Sequence, residues 1–103
     1  MSPNRDAGVP LYLLAVIYPR PDALEAVEGR LRVMMAASEQ EPGCEFMELA
    51  VDPADPTVWY MFEKFRSRAD WDLHMQTEHV ATGNAFLADL LRQPTELRLY
   101  DGK

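Results

Sequence analysis

The chain has 103 residues, 48% hydrophobic and 26% charged, which suits one folded domain and leaves no room for a second. Its formal net charge of −7 opposes a nucleic-acid backbone or an anionic membrane surface, and no Lys/Arg cluster offsets it. The single cysteine, Cys44, excludes an internal disulfide and fits a reducing cytoplasm.

Residues 1–10 lack the apolar stretch of a signal peptide and read as a flexible polar arm. One domain is expected over residues 11–103. Residues 11–18 form an apolar, partly β-branched run closed by Pro19, which reads as a strand and is too short to cross a bilayer. Pro21 and Asp22 are expected to open a helix. Leu24, Val27, Leu31, Met34 and Met35 recur at helical spacing to about Ser38, and Pro42-Gly43 stops the run. Residues 44–51 alternate as a second strand. Asp52-Pro53-Ala54-Asp55-Pro56 is a turn cluster short enough for a hairpin, and the aromatic residues 57–65 follow as a third strand. Ser67 with Asp70 resembles a capping box. The helix it opens is expected to break or bend near Thr77 and resume through Val80, Phe86, Leu87, Leu90 and Leu91 until Pro94. Residues 95–100 read as the last strand. The order β-α-β-β-α-β predicts an α+β, ferredoxin-like fold, a four-stranded antiparallel sheet with helices on one face.

That arrangement leaves one sheet face open, and such a face is polar when it meets water. Here strand 1 is apolar on both sides: Leu11, Leu13, Ala15 and Ile17 on one, Tyr12, Leu14, Val16 and Tyr18 on the other. Strand 3 repeats the pattern, with Trp59, Met61 and Phe65 against Tyr60 and Phe62. Two-sided apolar strands point to a homodimer built through the open face.

Several motifs share one pattern: Glu41-Pro42-Gly43-Cys44, the Asp52–Pro56 turn, Phe62-Glu63-Lys64-Phe65, and Ser67-Arg68-Ala69-Asp70-Trp71 followed by His74 and Thr77-Glu78-His79. In this order and spacing they resemble the antibiotic biosynthesis monooxygenase family over nearly the whole chain after Pro10. The resemblance implies a ferredoxin-like protomer, a dimeric α/β barrel and a pocket between sheet and helices. It implies cofactor-independent oxygenation of a quinol, anthrone or polyphenol. The alternatives are a non-catalytic, stress-associated binding dimer and an isomerase of a phosphorylated autoinducer-type sugar. The last finds an echo in His74 through His79, and only Arg92 or Arg98 offers it positive charge. Haem-degrading members carry an Asn on strand 1, which residues 11–18 lack.

Within that frame His74 is the candidate general base, since an imidazole titrates near the working pH and the resemblance places a recurrent histidine here. It shares a helix face with Trp71 and Glu78. Glu63, a carboxylate inside an apolar strand, is costly unless paired. It is expected to contact His74 and fix its tautomer, the alternative being a solvated ion pair with Lys64 or Arg66. Trp71, Phe65, Met61, Met47, Trp59 and Tyr60 are the candidate pocket residues for an aromatic substrate, with His79 at the mouth. Tyr60 or Trp71 is the available oxyanion donor. No metal site is expected, because His74 and His79 are five apart and do not share a face of one continuous helix. No Gly-rich phosphate loop supports NAD, flavin or nucleotide binding. Cys44 reads as a small buried residue.

Overall fold

Residues 8–103 are described in a computed structural model, so most of the expected N-terminal arm lies outside the described residues. The central strand β1 (Leu11–Ile17) leads to helix α1 (Leu24–Ser38), the hairpin β2 (Cys44–Asp52) and β3 (Asp55–Phe65), helices α2 (Arg68–Met75) and α3 (Glu78–Leu87), and β4 (Glu96–Asp101). The strands form one sheet in the order β2-β3-β1-β4, every pairing antiparallel. This is the ferredoxin-like arrangement expected from the sequence.

Strand register decides which side chains meet the helices. Leu13 lies opposite Glu63 and Leu99, and Ala15 opposite Met61 and Leu97. These residues point to the helix side, where Ala15, Ile17, Val27, Leu31, Met35, Trp59, Met61 and Leu87 form the main core. A second cluster gathers Leu11, Leu13 and Phe65, with Trp71 and Met47 against it. The alternate residues face away. Tyr12 is paired with Lys64 and Tyr100, and Leu14 with Phe62 and Arg98. Tyr12, Phe46, Phe62 and Tyr100 are all exposed on this uncovered face.

Two local readings change. Helix α1 begins at Leu24 rather than at Pro21 and Asp22, which sit in a turn closed by the Ala23 N–H on the Arg20 carbonyl and by an Arg20–Asp22 ion pair. Leu90 and Leu91 lie beyond α3. There the backbone is captured by the end of β1, with the Arg20 N–H donating to the Leu90 carbonyl and the Arg92 N–H to that of Tyr18, each at 2.9 Å.

Of the break or bend expected near Thr77, the structure has a full break between two helices. Ser67 caps α2, its hydroxyl accepting the Asp70 N–H at 3.2 Å. Thr77 makes the second junction from both sides. Its hydroxyl donates to the His74 carbonyl at 2.7 Å and accepts the Val80 N–H at 3.4 Å, ending one helix and starting the next. Gly43 carries the α1–β2 turn against this region. A Cβ there would collide with the Asp70 side chain, and the Gly43 carbonyl accepts the Arg66 N–H at 2.8 Å.

Candidate functional site

The pocket lies between the helix-side face of the sheet and the three helices, with a volume of about 330 Å³. Met47, Met61 and Glu63 rise from the sheet, Met35 from α1, and Trp71 and His74 from α2. The walls are mainly apolar, so the few polar groups in them stand out. Asn84, Thr95 and Ser38 also border it, none of them singled out from the sequence.

His74 ends the last full turn of α2 and is buried, against the Phe65 ring at 4.9 Å between centroids. Its Nδ1 pairs with Glu41, 2.9 Å from Oε2 and 3.2 Å from Oε1. An ionised carboxylate only accepts, so the proton of this bond belongs to Nδ1. The other ring nitrogen, Nε2, has no hydrogen-bond partner among the described residues. His79, in the first turn of α3, directs Nε2 at the same Glu41 Oε2, 2.7 Å away. Ser38 approaches that His79 nitrogen too, at 3.4 Å. Both partners thus meet one nitrogen, which is not the opposed-nitrogen arrangement of a Ser-His-acid relay.

The expected His74–Glu63 contact does not form. Glu41, read from the sequence only as part of a helix-to-strand turn, takes that place. Nothing in a loop carboxylate's sequence position says where it points. The turn that Gly43 allows directs it under the α2–α3 junction. Glu63 is only 8% exposed, yet its carboxylate has no hydrogen bond among the described residues. Lys64 pairs with Glu45 and Arg66 with Asp70 instead. Burial, and then the charge of Glu41, push its pKa up to about 7. It is a carboxyl poised between acid and anion at neutral pH, facing the pocket.

The remaining candidates divide. Trp71, Met61 and Met47 line the pocket. Phe65 is fully buried behind His74 and supports the ring without bordering the space. Trp59 donates its indole N–H to the Pro56 carbonyl at 2.8 Å and borders a separate shallow groove with Leu24 and Leu49. Tyr60 lies on the opposite sheet face, its hydroxyl donating to Asp52 at 2.7 Å, and so is no oxyanion donor here. His79 reaches the site through Glu41 and is not a lining residue. Neither Arg92, bonded to the Pro19 and Thr57 carbonyls, nor Arg98, paired with Glu96, lines the pocket. Among the described residues, no Lys or Arg lines the pocket to meet a phosphorylated sugar.

The family model for antibiotic biosynthesis monooxygenases matches residues 10–85. The chain belongs to this family. A protein of Mycobacterium tuberculosis that carries a provisional monooxygenase name is 33% identical over 85 residues, which span 82% of this chain and 83% of that one. Among solved structures, a Pseudomonas aeruginosa protein is 32% identical with a TM-score of 0.83, covering 91% of this chain and 94% of that one. A family member from Nitrosomonas europaea superposes with a TM-score of 0.88 at 25% identity, covering 92% and 91%. The family and fold expected from the sequence are both confirmed, and membership supports monooxygenase chemistry at the coarse level. No described helix is long and apolar enough to span a membrane.

Proposed function

We propose that this family member is a cofactor-independent monooxygenase that oxidises a small electron-rich aromatic molecule, a quinol, anthrone or related polyphenol, with dioxygen. The observation that carries this reading is the Glu41–His74 pair at an apolar pocket. With the proton fixed on Nδ1, the Nε2 lone pair is available to accept a phenolic or benzylic proton. Ionisation is the step such a site helps most, because the anion reduces dioxygen far more readily than the neutral molecule. For an anthrone methylene, the carbon is oxidised to a carbonyl, one oxygen atom entering the product. The second oxygen leaves as water with the two hydrogens of the methylene, so substrate supplies all the electrons. Glu63 in its neutral form donates a hydrogen bond to the developing oxyanion, a role for which the sequence offered Tyr60 or Trp71. Trp71, Met61 and Met47 supply the aromatic and thioether walls.

The same reading includes a homodimer through the open sheet face, where Tyr12, Phe46, Phe62 and Tyr100 would be covered by a second copy. An obligate interface there buries roughly 2,000 Å² or more in total. Light scattering at micromolar concentration is expected to give twice the chain mass, and Phe62→Asp to shift it toward monomer. A wild-type monomer would remove this part of the reading.

Oxygen uptake with a panel of quinols and anthrones, on chelator-treated protein, tests the activity. At least one substrate should be consumed faster than its autoxidation, and His74→Ala should lower that rate at least about tenfold with the dimer intact. If no substrate exceeds autoxidation, the binding-protein reading replaces this one.

A further inference from the structure

The Thr77 break gives His74 and His79 a relation that one continuous helix would not. His74 closes α2, His79 opens α3, and Glu41 comes up beneath the junction. One nitrogen from each ring and one oxygen of the carboxylate all lie within 4.8 Å of one another. Two imidazoles and a carboxylate are a donor set that first-row divalent cations prefer. From these residues we infer a binding site for a divalent transition metal, with zinc as the reference ion, coordinated by His74 Nδ1, His79 Nε2 and Glu41.

The geometry is close to what the ion needs. Zinc holds nitrogen ligands at about 2.0–2.1 Å, so two imidazole nitrogens across a tetrahedral centre sit roughly 3.4 Å apart. The two rings have centroids 6.0 Å apart and planes tilted by 58°; their facing nitrogens lie within 4.8 Å and so need to close by no more than about 1.4 Å to reach that spacing. Both already converge on one carboxylate oxygen, at 2.9 and 2.7 Å. His74 and Glu41 are well shielded, with side-chain exposures of 7% and 18%, while His79 at 25% is the more open ligand and marks the way in. Three protein ligands leave a fourth position for water.

Occupation would change the chemistry of the pocket. A neutral imidazole that coordinates through Nδ1 carries its proton on Nε2, so the nitrogen assigned above as base becomes a donor. On the proposed function, which this consequence rests on, bound metal is therefore an off-switch rather than a cofactor. The site itself is tested without reference to turnover.

Chelator-treated wild-type protein is titrated with zinc chloride in a calorimeter, and in parallel with cobalt(II) chloride in an absorption spectrometer. One zinc per chain should bind in the micromolar range or tighter. His79→Ala, which removes the most exposed ligand, should weaken it at least about tenfold. Cobalt should give the intense visible bands of a four- or five-coordinate nitrogen–oxygen site in the wild type, which needs no variant to fold. Zinc uptake that is unsaturable, or equal in His79→Ala, overturns the site. So does a cobalt spectrum like that of the hexa-aqua ion. Failure of the quinol assay leaves these readouts standing, so the two claims fail separately.

Discussion

Glu41 and Glu63 are the same residue type beside the same pocket, and the fold treats them oppositely. Glu41 lies in a loop, part-buried, with an imidazole nitrogen of His74 and another of His79 on its carboxylate. Glu63 lies mid-strand, more deeply buried, with no partner among the described residues and a pKa of about 7. One carboxylate organises histidines. The other is held near neutrality, with its protonation left to the pH and to whatever enters the pocket. Partnership rather than burial separates their roles, since an unpaired buried anion is the costly state.

Removing the organiser should have the largest effect. Glu41→Gln keeps the shape but presents an amide whose NH2 can donate to Nδ1 and move the ring proton to Nε2. Turnover of a quinol, followed by oxygen uptake, should fall about 100-fold. Urea denaturation should show a loss of roughly 2 kcal/mol, the scale of a hydrogen bond to a charged group in a shielded site. A variant that keeps wild-type turnover would break the comparison.

Glu63 predicts a change of the opposite sign. In the folded protein its carboxyl holds a proton up to about pH 7, whereas the unfolded chain releases it near 4.5. The native state thus binds more protons across that window, and this group's contribution to stability falls as pH rises from 4.5 to 7, then levels off. The shift amounts to about 3 kcal/mol. Glu63→Gln mimics the neutral acid, so it should be more stable than wild type at pH 8 and similar at pH 4.5, read as urea midpoints at both pH values. Equal midpoints at pH 8 would mean that Glu63 is paired.

Cys44 gives the smallest effect and reports on both carboxylates. Burial, then the charges of Glu41, Glu63 and Glu39, push its thiol up to about 11 from 9.0. Thiolate fraction falls about 100-fold, partly offset by higher intrinsic nucleophilicity, so alkylation at pH 8 should run roughly tenfold slower than for a free cysteine. Glu41→Gln and Glu63→Gln should each speed it. A rate untouched by either would show that shielding alone protects the thiol.

The fold was legible because its signals are local and periodic. Leu24, Val27, Leu31 and Met35 mark one helix face, the Asp52–Pro56 cluster marks a hairpin, and Ser67 with Asp70 marks a helix start. The two-sided apolar pattern of β1 marked an apolar uncovered face, but which of its two sides that is came only with the register. The site was legible only in part. His74, Trp71, Met61, Met47 and Glu63 were singled out and do border the pocket. Tyr60 and Trp59 were not separable from them by type. Tyr60's place depends on strand parity, and Trp59, though on the helix side, lies at the strand end away from the cavity. Glu41 was missed as a partner because its direction is set by a turn, a close approach at Gly43 and a helix break at Thr77, none of which has a period. His74 and His79 were read as unrelated because five residues is the wrong spacing for one helix face, a rule that does not apply across the break at Thr77.

The central claim is that Glu41, not Glu63, fixes the proton of His74 on Nδ1 and leaves Nε2 unprotonated, without a hydrogen-bond partner among the described residues. Nitrogen-15 spectra of histidine-labelled, metal-free protein at pH 8 read this without any substrate. The account predicts a protonated Nδ1 and an unprotonated Nε2 for His74, unchanged in Glu63→Gln and altered in Glu41→Gln. A proton on Nε2 in the wild type, or a tautomer that responds to Glu63→Gln and ignores Glu41→Gln, would contradict it.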